Sequence, residues 1–332
     1  MVRGLISGLG SIGTRHGRNF ARLGVTVAGY DPDPARRQAF SEALGGCAVY
    51  DDLDRALSDP APDFAVIACP NSLHVPQAIA CAEQGIGMFI EKPLSHDLGR
   101  IDELAALVAD RGVTAHVCSN FKFHPGVVAL RDVVAEGRLG RILAVQAISG
   151  QYLPDWHPKE DYRKLYAARA DLGGGVLHDR QELDYLAWIF GPCRSVSCRM
   201  VTTGSLDIET EDLCQIVAEF GDGVLATVQL DYLQRPYARR IHVTGTQGTA
   251  QWDYVLNSLR VYTEQTGTWN EVPEAKMTNP NDMYVAQSEH FLACLRDAAT
   301  PVTGLSAACD VMRTFDACRR SAANQGRMEQ VR

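Results

Sequence analysis

Three short stretches of this chain concentrate side chains that can do chemistry. Gly8-Leu9-Gly10-Ser11-Ile12-Gly13 comes directly after the apolar Leu5-Ile6-Ser7 and opens a helical pattern with Ile12, His16, Phe20 and Leu23 at spacings of four and three. Strand, GxGxxG and helix, in that order, let the backbone approach a pyrophosphate at a helix N-terminus. Glu91-Lys92-Pro93 ends a second apolar run, Gly87-Met88-Phe89-Ile90, and so sets a lysine and a carboxylate at a strand terminus. His178-Asp179-Arg180-Gln181-Glu182 comes after Gly173-Gly174-Gly175 and heads an apolar helical pattern that stops at Gly191. Unpaired burial of such polar groups costs about 1–3 kcal/mol each, so this crowd predicts a helix start facing a bound substrate.

The glycine stretch gains weight from the strand beyond its helix. Val25 to Tyr30 reads as that strand and delivers Asp31, 18 residues past Gly13. A carboxylate there accepts hydrogen bonds from ribose hydroxyls and repels a 2′-phosphate, which favours NAD over NADP. Arg36 and Arg37 lie close by, but Asp33-Pro34 reads as an N-cap and first turn that carries them into a helix. Beside a cationic nicotinamide, a partly desolvated Lys92 would have its own charge disfavoured, which suits acid–base chemistry. The plainer alternatives are a loop cap for Asp31 and a lysine tied to Glu91.

The elements that position these residues alternate. Phe64–Cys69 is a continuous apolar strand, Pro70-Asn71-Ser72 turns into a helix from about His74 to Gln84, and Gly87–Ile90 is another strand. Ser95 is expected to cap a helix through Val108, and Val113 to Cys118 forms a further strand ending at Ser119-Asn120. Successive strand–helix units with polar residues at strand ends predict an α/β fold, a doubly wound parallel Rossmann sheet binding its ligand along that edge. After Phe121 longer strands dominate: 141–149, 195–201, 213–220, 224–232, 239–245, 250–253 and 259–264. Gly221-Asp222-Gly223 and Gly245-Thr246-Gln247-Gly248 give hairpin signals. The expected division is an NAD-binding domain over 1–121 and a substrate-binding and oligomerisation domain over 122–332, an α/β domain with a large, open, mostly antiparallel sheet and two helices near 282–297 and 304–323. An uncovered sheet face needs a partner, which predicts a homodimer or homotetramer packed through it.

Bulk properties narrow the function class. A net charge of −8 argues against a nucleic-acid or anionic-membrane surface. The N-terminal apolar run breaks at Gly8, too short for a signal core or a membrane span. Ten cysteines are scattered without a CxxC pair or metal-ligand spacing, so reduced thiols, no metal and a cytoplasmic location are expected.

The glycine motif, Cys69-Pro70-Asn71 with His74, Glu91-Lys92-Pro93, and Asn120 with Phe123-His124-Pro125 together resemble the Gfo/Idh/MocA family, relatives of glucose–fructose oxidoreductase and inositol dehydrogenase. The resemblance runs over essentially the whole chain. It implies an NAD(P)-dependent oxidoreductase acting on a hydroxyl-bearing carbon of a sugar, polyol or sugar derivative, with Lys92 between cofactor and substrate as the acid/base group. It also implies a cofactor site built from Gly8, Gly10, Ser11, Ile12, Gly13, Asp31, Cys69, Pro70, Asn71, His74, Glu91, Lys92 and Asn120. The irregular segment from Gln151 to Lys164, read with Glu182-Leu183-Asp184-Tyr185, resembles the branch linked to surface-polysaccharide and nucleotide-sugar synthesis. Lys122, Tyr152, Tyr162 and Arg163 join Lys92, His178 and Gln181 as candidate substrate contacts.

Family members carry an aspartate and, three or four residues on, a histidine at the polar helix start. The landmarks Asp184, Trp188 and Gly191 put Gln181 where that histidine belongs, whereas counting from the glycines puts Asp179 at the aspartate. The two counts differ by one residue. On one continuous helix Asp179 and Gln181 stand about 160° apart, while His178 and Gln181 stand about 60° apart and share a face. His178 and Gln181 are therefore favoured as facing the cleft, with Asp179 ranked below them; the alternative is that His178 and Asp179 merely cap the helix. Gln181 can orient a hydroxyl but takes no proton, which leaves proton transfer to Lys92 or His178. Three activities fit: a dehydrogenase, a redox-neutral enzyme in which hydride leaves and returns, or a non-catalytic NAD and sugar sensor.

Overall fold

The computed structural model describes every residue except His157 and Lys159. The chain divides into two compact units, Met1–Cys118 with Tyr284–Cys309, and Ser119–Met283 with Asp310–Arg332. His157, part of the irregular segment 151–164, lies outside the described residues.

The first unit runs β1 (Arg3–Ser7), α1 (Ser11–Arg22), β2 (Thr26–Tyr30), α2 (Pro34–Ala43), β3 (Val49–Tyr50), α3 (Leu53–Ser58), β4 (Phe64–Ile67), α4 (His74–Glu83), β5 (Gly87–Ile90), α5 (Ile101–Arg111) and β6 (Ala115–Val117). The six strands form one parallel sheet in the order β3-β2-β1-β4-β5-β6. All four residues of β4 and of β5 are buried, as continuous apolar strands covered on both faces require. The segment Tyr284–Cys309 belongs to this unit although it lies far along the chain. Phe291 is the reason: fully buried, it meets Phe64 at 5.1 Å and Phe89 at 5.2 Å, within the cluster that holds Ile6, Phe20 and Val66. Sequence order alone, with its division at 121/122, cannot show that long-range packing.

One helix starts later than its pattern suggests. α5 begins at Ile101, not at Ser95. The Ser95 hydroxyl instead accepts the Asp97 N–H at 3.3 Å, and Asp97 Oδ1 accepts the Gly99 N–H at 2.9 Å. These side-chain turns offer the backbone an alternative to the helix.

The second unit contains α6 (Pro125–Ala135), β7 (Ile142–Gly150), α7 (Val176–Asp179), α8 (Glu182–Phe190), β8 (Cys193–Val201), β9 (Leu213–Phe220), β10 (Val224–Asp231), β11 (Ala238–Gly245), β12 (Gly248–Asp253), β13 (Ser258–Thr263) and β14 (Trp269–Glu271). Along the chain come next α9 (Asp282–Leu295), which from Tyr284 on belongs to the first unit, and α10 (Leu305–Ala323), which from Asp310 on belongs to the second, as does β15 (Glu329–Gln330). Nine strands form a sheet in the order β14-β13-β12-β11-β7-β10-β9-β8-β15, antiparallel except where β7 and β10 run parallel. Alternation along β10 explains its two faces. Val224, Ala226, Val228 and Leu230 are buried, whereas Leu225 and Thr227 are exposed on the opposite face. Among the described residues no helix is long and apolar enough to cross a membrane.

Candidate active site

In the first unit the glycine turn is built as a phosphate cradle needs. A Cβ on Gly13 would meet the Gly8 carbonyl oxygen at 1.9 Å, so only glycine lets α1 start this close to β1. A Cβ on Gly10 would meet nothing within 4 Å, leaving that side open for a ligand's approach. No side chain caps α1, whose N-cap is Gly10, and its first turn holds no acidic residue. Ser11, Ile12 and Gly13 thus present the positive end of a helix to an anion. Asp31 is buried, and its two oxygens accept the Leu9 and Asp33 N–H groups, each at 2.9 Å. Arg36 reaches within 3.8 Å of the same carboxylate, while Arg37 is drawn to the Asp31 and Pro32 carbonyls at 2.7 and 2.9 Å. These features fit a dinucleotide.

The neighbouring strand ends complete this edge. Cys69 and Pro70 lead from β4 into a short turn that buries Asn71, and burial pushes the Cys69 thiol up to about 12. His74 brackets two loops, its Nδ1 2.8 Å from the Pro93 carbonyl and its Nε2 2.9 Å from that of Cys69. Burial pushes its pKa down against the pull of those two acceptors. His74 therefore holds the Glu91-Lys92-Pro93 turn in place.

Glu91 is buried at the end of β5. One oxygen lies 2.7 Å from His16 Nε2, and the other accepts the Lys92 N–H at 3.1 Å. Burial alone would raise this carboxyl; the His16 hydrogen bond and charge, aided by Lys92, bring it down to about 2. His16, Glu91 and Cys118 place their donor atoms within 4.8 Å of one another, a set with the ligand types a metal ion takes. The carboxylate is engaged by His16 and the Lys92 N–H, and burial pushes the Cys118 thiol well up.

In the second unit, residues 119–122 meet the start of α8. Gln181 Nε2 donates to Asn120 Oδ1 at 2.9 Å, and Lys122 Nζ lies 2.6 Å from Asp184 Oδ1. Ser119 donates to the other oxygen of Asp184. Gln181 Oε1 is a buried acceptor with no donor among the described residues. Asn120, expected to serve the cofactor, thus belongs to the second unit and to Gln181 there. Sequence reasoning does not mark Ser119 or Asp184 as site residues, although Asp184 stands one helical turn from Gln181 on the same face.

The continuous helix expected for 178–181 does not form. α7 is a single turn that ends at Asp179, Arg180 is extended at φ −85° and ψ 152°, and α8 starts at Glu182 with Gln181 as its N-cap. The shared face of His178 and Gln181 is therefore lost, and with it the geometric reason for pairing them. His178 packs against Phe315 at 5.1 Å, with Arg319 Nη2 3.3 Å from its Nδ1. Asp179 accepts from the Tyr166 hydroxyl. Neither residue caps a helix. The α7 N-terminus is held by Glu211, whose carboxylate accepts the Leu177 N–H at 3.2 Å and whose carbonyl accepts that of Val176. Gly175 sits there at φ +112°, a backbone conformation that side-chain-bearing residues rarely adopt.

The break has a cause beyond local propensity. The buried Arg180 guanidinium lies over Trp156 at 4.9 Å and Tyr232 at 5.6 Å, and donates to the Asp231 carbonyl at 3.3 Å. The loop candidates serve local contacts. Tyr152 packs beneath Arg235, Tyr162 accepts the Asp207 N–H at 3.4 Å, and exposed Arg163 pairs with Asp161 at 2.7 Å and with Asp207 at 3.5 Å. None of these four contacts reaches Gln181 or Lys122.

Comparison with known proteins agrees with both units. Residues 2–119 match the model of the oxidoreductase family with an NAD-binding Rossmann fold, and residues 127–251 match the GFO/IDH/MocA C-terminal domain. The chain is 27% identical over 313 residues to D-xylose 1-dehydrogenase (NADP(+)) 2 of Haloferax volcanii, covering 90% of this chain and 89% of that protein. It is 31% identical over 252 residues to the putative UDP-kanosamine synthase oxidoreductase subunit of Amycolatopsis mediterranei, covering 68% of this chain and 66% of that one. Levoglucosan dehydrogenase, solved with NADH and levoglucosan, superposes with a TM-score of 0.89 at 18% identity, covering 100% of this chain and 99% of that one, a likeness of fold. With its parallel Rossmann sheet, its mixed open sheet and both family models matched, this chain belongs to the Gfo/Idh/MocA family and is an NAD(P)-dependent oxidoreductase.

Proposed function

We propose that the protein interconverts a hydroxyl and a carbonyl on a carbon of a sugar or sugar derivative, with Lys92 as the acid/base group and NAD preferred over NADP. The observation that carries this is the Glu91-Lys92 turn, in which a buried carboxylate accepts the Lys92 backbone N–H and so fixes the lysine's place at the carboxyl edge of the parallel sheet. Ligands of doubly wound sheets bind along that edge. When bound, the nicotinamide supplies the hydride acceptor or donor. Lys92 Nζ takes the hydroxyl proton during oxidation and returns it during reduction. Gln181 accepts a hydrogen bond from a substrate hydroxyl through Oε1 and moves no proton. His178, packed under Phe315 and Arg319, leaves the proton to Lys92. The xylose and UDP-kanosamine relatives support a sugar substrate, and the Asp31 carboxylate supports NAD. Through the exposed face of its nine-stranded sheet the chain forms a homodimer or homotetramer.

The test is Lys92→Met, assayed by NADH absorbance over a panel of sugars. Turnover falls by orders of magnitude while NADH still binds; full activity in this variant sinks the proposal. Product formed without net NADH marks the redox-neutral chemistry instead.

A further inference from the structure

We infer that His16 is a positioning residue: through Glu91 it sets the Lys92 turn, and so ties the helix of the dinucleotide cradle to the acid/base group. This rests on the proposed role of Lys92.

The coupling is one carboxylate long. His16 lies about one and a half turns into α1, the helix whose first residues form the cradle. It is 1% exposed, and its ring is boxed by Phe89, edge-on at 5.1 Å, and Tyr284, at 6.3 Å. Tyr284 is itself covered by the Arg15 guanidinium at 4.5 Å. The ring therefore has one orientation, with Nε2 2.7 Å from Glu91 Oε1. An ionised carboxylate only accepts, so Nε2 carries the proton and donates it. The second Glu91 oxygen accepts the backbone N–H of Lys92 itself. A carboxylate shared between a fixed imidazole and the lysine's own peptide has little freedom to turn. Without His16, Glu91 keeps its bond to the turn but loses its anchor on α1, and the turn loses its fixed distance from the cradle. Groups held within hydrogen-bond reach of a reacting atom are sensitive to such displacements. Burial without a second route to water makes the lost hydrogen bond costly to replace.

Three variants test this: His16→Phe, which fills the space without a donor, His16→Gln, which keeps an N–H donor, and Lys92→Met as the reference. His16→Phe is expected to lower kcat by about 10- to 100-fold, the range for losing a hydrogen bond to a charged group, with KM for the sugar and the Kd for NADH changed by less than about threefold. NADH binding is read by fluorescence and folding by the melting temperature, neither of which depends on turnover. His16→Gln is expected to recover most of kcat. Unchanged kcat in His16→Phe with Lys92→Met inactive overturns the inference and leaves the Lys92 assignment standing. Full activity in Lys92→Met overturns that assignment first. Loss of NADH binding in step with kcat, or no recovery with Gln in a folded protein, shows His16 to be a packing residue and also overturns the inference.

Discussion

Gln181 gives its amide N–H to Asn120 Oδ1 at 2.9 Å and, among the described residues, Oε1 has no donor, so the pair presents one unsatisfied acceptor. A buried amide oxygen in that state is costly by itself, and on the proposed function a ligand hydroxyl would complete it. Gln181→Ala should raise KM for the sugar by about tenfold, the value of one neutral hydrogen bond, and leave the Kd for NADH unchanged. Steady-state kinetics with fluorescence titration of NADH measures both. A loss confined to NADH affinity means that this acceptor does not face the sugar.

On the proposed function Asp31 has two jobs that can be separated. Its oxygens already hold the Leu9 and Asp33 N–H groups, which shapes the glycine turn, and each retains a lone pair for a ribose hydroxyl. Its negative charge disfavours a 2′-phosphate. Asp31→Ser should weaken NAD by about tenfold and narrow the preference for NAD over NADP, with Arg36, now 3.8 Å from the carboxylate, free to meet the added phosphate. The ratio of kcat/KM for the two cofactors is the measurement, and an unchanged ratio removes Asp31 from cofactor selection.

How far each feature is legible in the sequence depends on the range of the interactions that fix it. The cradle and the Glu91-Lys92-Pro93 turn are local arrangements, each fixed by a strand, a few residues and a helix, and their pattern is complete within about twenty positions. The strands of the open sheet are equally local in their alternation; Leu213–Phe220 falls where the pattern puts it. The break at Arg180 is different. The apolar periodicity through 176–190 suits an unbroken helix, but the guanidinium is captured by Trp156 and Tyr232, 24 and 52 positions away, and by the Asp231 carbonyl. The same holds for His16. It occupies a core position in the α1 pattern, and only the sheet's folding brings Glu91 against it.

Stability should fall as the solution is acidified, and His124 supplies part of the slope. Its Nδ1 accepts the Gly126 N–H at 2.9 Å at the start of α6, and its ring is buried between Phe121 and Trp252. Burial, then the charge of Arg239, push its pKa down to about 4. Between that value and the ordinary 6.5 the unfolded chain binds a proton that the folded chain does not. Its contribution is thus full above about pH 6.5 and declines as pH falls to about 4, by up to about 3 kcal/mol. His124→Asn keeps a capping oxygen and removes the titration, so its urea unfolding free energy should depend less on pH over that window. Parallel curves for the two proteins would assign the slope elsewhere.

The proposed assembly rests on the outward side of the nine-stranded sheet. Leu225 on β10 and Val217 on β9 are 57% and 45% exposed, and the strand pairing sets Leu225 beside Ala144 and Val217 beside Thr227 on that same face. Apolar side chains on an uncovered sheet face are what a second copy buries. Analytical ultracentrifugation should find a dimer or tetramer. The double variant Leu225→Arg, Val217→Arg places like charges opposite one another across a two-fold interface, where they repel and lose water, and should sediment as a monomer. Its far-UV circular dichroism should stay native, because neither side chain enters the core. A wild-type protein that sediments as a monomer at micromolar concentration rules this interface out.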